Sequence, residues 1–141
     1  MMKCRFDGES ADMVDLQRTG SELENKTVTV LVVEDEAMMR TKLAEELQHA
    51  GYLVVEASDG TEAIEILTVR RDVKIVISDV RMPGPIDGVE LSRRIRSGYP
   101  GIKVVLSSGE ANVADSTAHD GFFLKPYRVA QLIRHIRSFT D

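Results

Sequence analysis

The sequence predicts an α/β domain, a doubly wound parallel sheet flanked by helices, and three observations carry that prediction. Short β-branched runs recur between stretches of helical period, the pattern of repeated βαβ units. Most of the runs are apolar at successive positions instead of alternating, as strands buried on both faces are. Each run is closed by Gly, Pro, Ser or a charged residue, so the chain turns at the strand ends and not within them.

Residues 1–26 are polar, with no period beyond Met13 and Leu16. They read as a flexible extension, with a short docked amphipathic helix as the alternative. The domain itself is placed at 27–141. Residues 28–33 form the first strand; Met39, Leu43, Leu47 and Ala50 follow at helical spacing, and Gly51 supplies a stop. A second strand at 53–56 leads to Asp59 as N-cap, with Glu62 placed to close a capping box and Ala63, Ile64 and Leu67 facing inward. The third strand, 73–78, ends in Asp79 before Pro83 and Gly84 break the chain. Asp87, with Glu90 three residues on, opens a helix that buries Leu91 and Ile95 and stops near Gly98. The fourth strand, 102–106, runs into Ser107, Ser108 and Gly109. Residues 110–120 hold too few large apolar side chains for a well-anchored fourth helix, so a short or irregular one is expected. The fifth strand, 121–124, precedes Lys125 and Pro126, and Val129, Leu132, Ile133, Ile136 and Phe139 mark a terminal helix.

Composition excludes several classes. A chain of 141 residues with 43% hydrophobic content fits one domain with a real core. The net charge of −5 and the lack of a Lys/Arg run argue against direct nucleic-acid binding. The start lacks a signal-peptide core, and no apolar run approaches the roughly 20 residues of a membrane helix, so a soluble cytoplasmic protein is expected. Cys4 is the only cysteine and the three His are scattered, which leaves no internal disulfide and no zinc spacing.

Right-handed crossovers put every strand's carboxyl end on one edge of a parallel sheet. Glu34, Asp35, Asp79, Ser108 and Lys125 all fall at or just after those ends. Singly, each would be a turn residue, a helix cap or a solvated charge. Together they describe a site in the crevice where open α/β sheets bind ligands. Converging carboxylates repel unless a cation sits among them, and Mg2+ suits carboxylate and carbonyl oxygens. Lys125 adds a fixed positive charge and Ser108 a hydroxyl donor, as a transferring phosphoryl group requires. Asp79 would then be the nucleophile that accepts it as an acyl phosphate.

The motifs Leu31-Val32-Val33-Glu34-Asp35-Glu36, Ser78-Asp79-Val80-Arg81-Met82-Pro83-Gly84, Asp87-Gly88, Leu106-Ser107-Ser108-Gly109 and Lys125-Pro126 resemble the receiver domains of bacterial two-component response regulators, the CheY-like superfamily. The match runs from about Thr27 to the C-terminus. The resemblance implies a flavodoxin-like sheet in the order 2-1-3-4-5. It implies that Asp79 is phosphorylated by a histidine kinase or phosphotransfer protein, and that Glu34, Asp35, Asp79 and the backbone carbonyl of Arg81 hold magnesium. It makes Ser108 the switch hydroxyl, Lys125 the phosphate-binding lysine in a cis Lys-Pro peptide, and Phe122 the switch aromatic. Arg81 and Glu110 would flank the phosphoryl group, where opposite charges could pair across the mouth and tune dephosphorylation.

Two departures from the family pattern stand out. The loop 84–88 is one residue longer than its commonest form, and the 17 positions from Ser108 to Lys125 are fewer than usual. The second bears on the output face, 110–139, through which a receiver meets a partner protein or forms a homodimer. The resulting expectation is a phosphorylation-controlled switch without an output domain, catalysing only its own phosphoryl transfer and autodephosphorylation. A receiver excised from a hybrid histidine kinase, with 1–26 as linker, is the alternative. An aspartyl-nucleophile phosphatase is disfavoured because Arg81 stands where such enzymes place a second Asp, and a phosphorylation-independent binding module is disfavoured by the intact Asp79, Lys125 and acid pair.

Overall fold

The computed structural model describes residues 27–111 and 119–140. The expectations for 1–26, and for a short helix within 110–120, fall mainly on residues outside that range. Five strands, β1 (Thr29–Val33), β2 (Leu53–Ala57), β3 (Val73–Asp79), β4 (Lys103–Ser108) and β5 (Gly121–Leu124), form one sheet in the order β2-β1-β3-β4-β5. Every neighbouring pair is parallel. The described helices are α1 (Ala37–His49), α2 (Gly60–Val69), α3 (Gly88–Gly98) and the C-terminal α4 (Val129–Arg137).

The unbroken apolar runs are explained by a core on each face, since successive strand residues point to opposite sides. Val30, Val32, Ile75, Ile77 and Val105 join Leu47 of α1 and Leu132 and Ile136 of α4. Leu31, Val33, Val76, Val104 and Leu106 join Ala63 and Leu67 of α2 and Leu91 and Ile95 of α3. β2 and β5 are the edges, and there the burial weakens: Leu53 is 47% exposed and Leu124 48%.

Local signals set the element ends. Gly51 has φ +103°, the left-handed region that glycine enters without strain. Its N–H donates to Gln48 O (3.0 Å) and that of Tyr52 to Leu47 O (3.1 Å), a Schellman stop for α1 with Ala50 as its C-cap. Asp59 and Asp87 cap α2 and α3, each accepting the N–H of the residue three on at 2.8 Å. The reciprocal bond of a capping box forms at neither. Glu62 turns to Ser58, which offers both its N–H (2.7 Å) and its hydroxyl (2.9 Å) to one carboxylate oxygen. Glu90 pairs instead with Arg94 at 3.0 Å, one turn along the helix.

Met39, though in register with Leu43 and Leu47, is 44% exposed. It lies in the first turn of α1, where it lines a cleft with Lys125 and Tyr127 in place of the sheet. At the start of α3 the backbone itself is close-packed. Gly88 N–H donates to Val80 O (2.8 Å), and a Cβ on Gly88 would lie 2.7 Å from Val80 Cα.

Candidate functional site

The sheet order puts the ends of β1, β3, β4 and β5 side by side, and the charged residues follow. Glu34 and Asp35 leave β1, Asp79 ends β3, Ser108 ends β4 and Lys125 follows β5. Oxygen atoms of Glu34, Asp35 and Asp79 lie within 4.8 Å of one another. Lys125 Nζ is 3.2 Å from Asp79 Oδ1 and 3.5 Å from Glu34 Oε1. These four residues, named from the sequence, are brought together.

The charges perturb one another in a partly buried setting. Burial, with the Asp79 charge adding to it, raises the Glu34 carboxyl, while the Glu36 N–H and the Lys125 charge pull it back. For Lys125 burial alone would lower the ammonium, but Asp79 and Glu34 outweigh it and the net displacement is upward. The chain holds Lys125 by main-chain contact too, since its N–H donates to Ser108 O at 2.8 Å. The Lys125-Pro126 peptide is cis, as the resemblance implied.

Ser108 is 2% exposed, and its hydroxyl oxygen accepts the N–H of Glu110 at 3.0 Å. Arg81 and Glu110 do pair: Arg81 Nε donates to Glu110 Oε1 at 3.1 Å, and its Nη2 reaches the same oxygen. Phe122 is half-buried against the α2/α3 core, its ring centroid 6.3 Å from that of His119. It stands beside Leu106 in the β4–β5 register, two residues back along β4 from Ser108.

Other residues at the edge escaped the sequence reading. Arg40 in α1 donates from Nη1 to the main-chain oxygen of Glu34 (2.8 Å) and from Nε to Glu56 Oε1 on β2 (3.1 Å). Nothing in its helical spacing announced this, because Glu56 is 16 residues away and is brought near only by sheet pairing. Tyr127, directly after the cis proline, has its hydroxyl bonded to Ser107. Burial, with Glu34 and Asp79 adding to it, pushes that phenol up to about 12. Beside the carboxylates a cleft of about 470 Å³ opens between α1 and the start of α4, lined by Glu34, Leu43, Lys125 and Tyr127.

A five-stranded parallel sheet in the order 2-1-3-4-5, with an acidic cluster at its carboxyl edge, places the protein in the class of flavodoxin-like α/β domains. Within that class the chain belongs to the response regulator receiver domain family, whose sequence pattern matches residues 30–137. It is 39% identical over 121 residues to sensor kinase CckA of Brucella abortus, covering 82% of this chain and 13% of that protein. It is 37% identical over 109 residues to the transcriptional regulatory protein PdtaR of Mycobacterium tuberculosis, covering 74% of this chain and 52% of that one. The chain thus spans at most about half the length of these curated relatives.

Among solved structures, response regulator TrrA from Thermotoga maritima, in complex with Mg(2+)-BeF, superposes with a TM-score of 0.74 at 29% identity, covering 80% of this chain and 99% of that one. A receiver protein from Sinorhizobium medicae gives 0.73 at 34% identity, covering 80% and 94%. Receiver domains are signalling modules of two-component systems, in which phosphorylation on Asp and Mg2+ binding are standard. No described helix is long and apolar enough to cross a membrane.

Proposed function

We propose that this domain is a phosphorylation-activated switch in which Asp79 accepts a phosphoryl group from a histidine kinase or phosphotransfer protein. The observation that supports it most is the Lys125 ammonium held within 3.5 Å of both Asp79 and Glu34, with Asp35 in the same cluster. In the transfer an Asp79 oxygen attacks phosphorus, a P–O bond forms, the P–N bond to the donor imidazole breaks, and its electron pair leaves with the nitrogen. Lys125 neutralises the phosphoryl oxygens. Among the described residues Ser108 spends only its acceptor side, on the Glu110 N–H, which leaves its proton for the phosphoryl group.

The donor set fits magnesium: three carboxylates, with no sulfur or imidazole among them. Glu34, Asp35 and Asp79 would hold the ion together with the main-chain oxygen of Arg81. Bound there, it would supply the charge neutralisation that phosphoryl transfer needs. TrrA, solved as a complex with Mg(2+)-BeF, supports this assignment by similarity.

Phosphorylation adds about −1.5 to −2 charges. Turning Ser108 toward them frees the Glu110 N–H, and Phe122, on the adjacent strand, moves with it. The surface so biased is the face formed by 110–139, which binds an output partner protein or a second copy of the chain as a homodimer. The domain acts in the cytoplasm and catalyses only its own phosphoryl uptake and release. A second reading, favoured by the 39% identity to a sensor kinase of which the match covers 13%, is a receiver belonging to a hybrid kinase.

The test is incubation with Mg2+ and acetyl phosphate followed by intact mass, with Asp79→Asn alongside. One Mg2+-dependent phosphoryl adduct that disappears in the variant is expected. An adduct retained in Asp79→Asn would refute the assignment.

A further inference from the structure

We infer that Arg40 is a positioning residue for the cation site, acting as a brace between the turn that carries Glu34 and Asp35 and the neighbouring strand β2; this role rests on the cation reading above. Its guanidinium makes two bonds in different directions, to Glu34 O at 2.8 Å and to Glu56 Oε1 at 3.1 Å. The side chain is 19% exposed against 39% for Glu56, so the fork is held inside and its anchor sits at the surface.

The turn is otherwise fastened by main-chain N–H groups at its two ends. Glu34 N–H donates to Ala57 O at 3.0 Å, and Glu36 N–H to Glu34 Oε2 at 3.1 Å. The carbonyl of Glu34 lies between them in the chain. Register places Val32 opposite Glu56, two residues before the turn, so the Arg40–Glu56 contact extends the β1–β2 pairing past the last strand residue. Without it, the peptide joining Glu34 to Asp35 loses the one side-chain bond that fixes its orientation among the described residues. The carboxylates on both sides would then have to be ordered when a cation binds.

Charge and geometry predict opposite outcomes, which makes the brace decidable. A guanidinium beside a cation site repels the cation, so its removal by charge alone would tighten binding. Loss of a brace weakens it. The measurement is Mn2+ binding followed by electron paramagnetic resonance, with circular dichroism to establish folding and Asp35→Asn as control. Arg40→Ala is expected to weaken Mn2+ binding about tenfold, the lower end of what outer-shell partners of metal ligands contribute.

Arg40→Lys keeps the charge but lacks a planar fork that reaches both oxygens, so it should recover less than half of the loss on a logarithmic scale. Glu56→Gln, on an exposed edge, leaves α1 untouched and should weaken binding about threefold through the slackened fork. Unchanged or tighter binding in folded Arg40→Ala overturns the brace while leaving the cation site standing. If Arg40→Ala does not fold, wild-type affinity in Glu56→Gln overturns it. Failure of the parent chain to bind Mn2+, or equal binding by Asp35→Asn, overturns both readings.

Discussion

Arg81 and Glu110 pair, Nε to Oε1 at 3.1 Å, although they lie 29 positions apart in the chain. Arg81 follows β3 and Glu110 follows β4, so the contact joins the loops that leave the two central strand ends. Glu110 also donates its main-chain N–H to Ser108, which ties the ion pair to the proposed switch hydroxyl. The Glu110 partnership raises the Arg81 guanidinium above its ordinary value, so Arg81 stays charged at any working pH.

Removing either member should change how fast phosphorylated Asp79 loses its phosphoryl group. Because both side chains are largely exposed, 71% and 48%, the change is expected to stay within about tenfold. Decay of the purified phosphoprotein, followed by intact mass for Arg81→Ala and Glu110→Ala, is the measurement. Identical decay in both variants would leave the pair as surface charge.

Replacing Lys125 by Gln should separate two properties of the site. Phosphoryl uptake from acetyl phosphate loses its fixed cation and should fall by about 10²- to 10³-fold. Mn2+ binding should become tighter, since an ammonium 3.2 Å from Asp79 and 3.5 Å from Glu34 no longer competes for the same oxygens. Parallel loss of both would mean that Lys125 holds the fold together more than it serves the chemistry.

At the opposite end of the sheet, Asp72 gives a pH prediction. It accepts from Arg70 at 3.0 and 2.7 Å and from the Thr29 hydroxyl at 3.1 Å. The Arg70 bond holds its carboxyl below the ordinary 3.8, against a smaller opposing effect of burial. A carboxyl depressed on folding stabilises above its unfolded value and loses that contribution as pH falls through the folded one. Asp72→Asn should therefore lower stability near neutral pH, by no more than about 1 kcal/mol for so exposed a pair. The gap between variant and parent in urea unfolding should close below pH 3.8. A gap that does not narrow at all as pH falls below 3.8 would assign the effect to packing.

The strand runs, two helix stops and the residues of the acidic edge were legible because each is written locally. Asp79 follows Ile75, Val76, Ile77 and Ser78 directly, and Lys125 follows a strand and precedes Pro126. Strand order was not legible in the same way: periodicity reports burial, and the order 2-1-3-4-5 came from the resemblance alone. Of the contacts made across the sheet, Arg81–Glu110 was reached only through the resemblance, and that of Arg40 escaped. Arg40 is one helical Arg among others until Glu56 is placed beside it, and Met39 has core spacing but sits where α1 meets the cleft. Glu62 and Glu90 carried the spacing of reciprocal caps, yet other donors, Ser58 and Arg94, took their carboxylates.

Among the described residues, the only ammonium in the acidic cluster arrives on β5, the last strand in the chain, paired in the sheet with β4 alone. An assembly of β1, β3 and β4 that had not yet taken up β5 would hold Glu34, Asp35 and Asp79 together without their counter-charge. Docking of β5 would relieve that repulsion, because Lys125 then stands 3.2 Å from Asp79 and 3.5 Å from Glu34. A half-assembled molecule lacks the very group that would let it pass for a finished one.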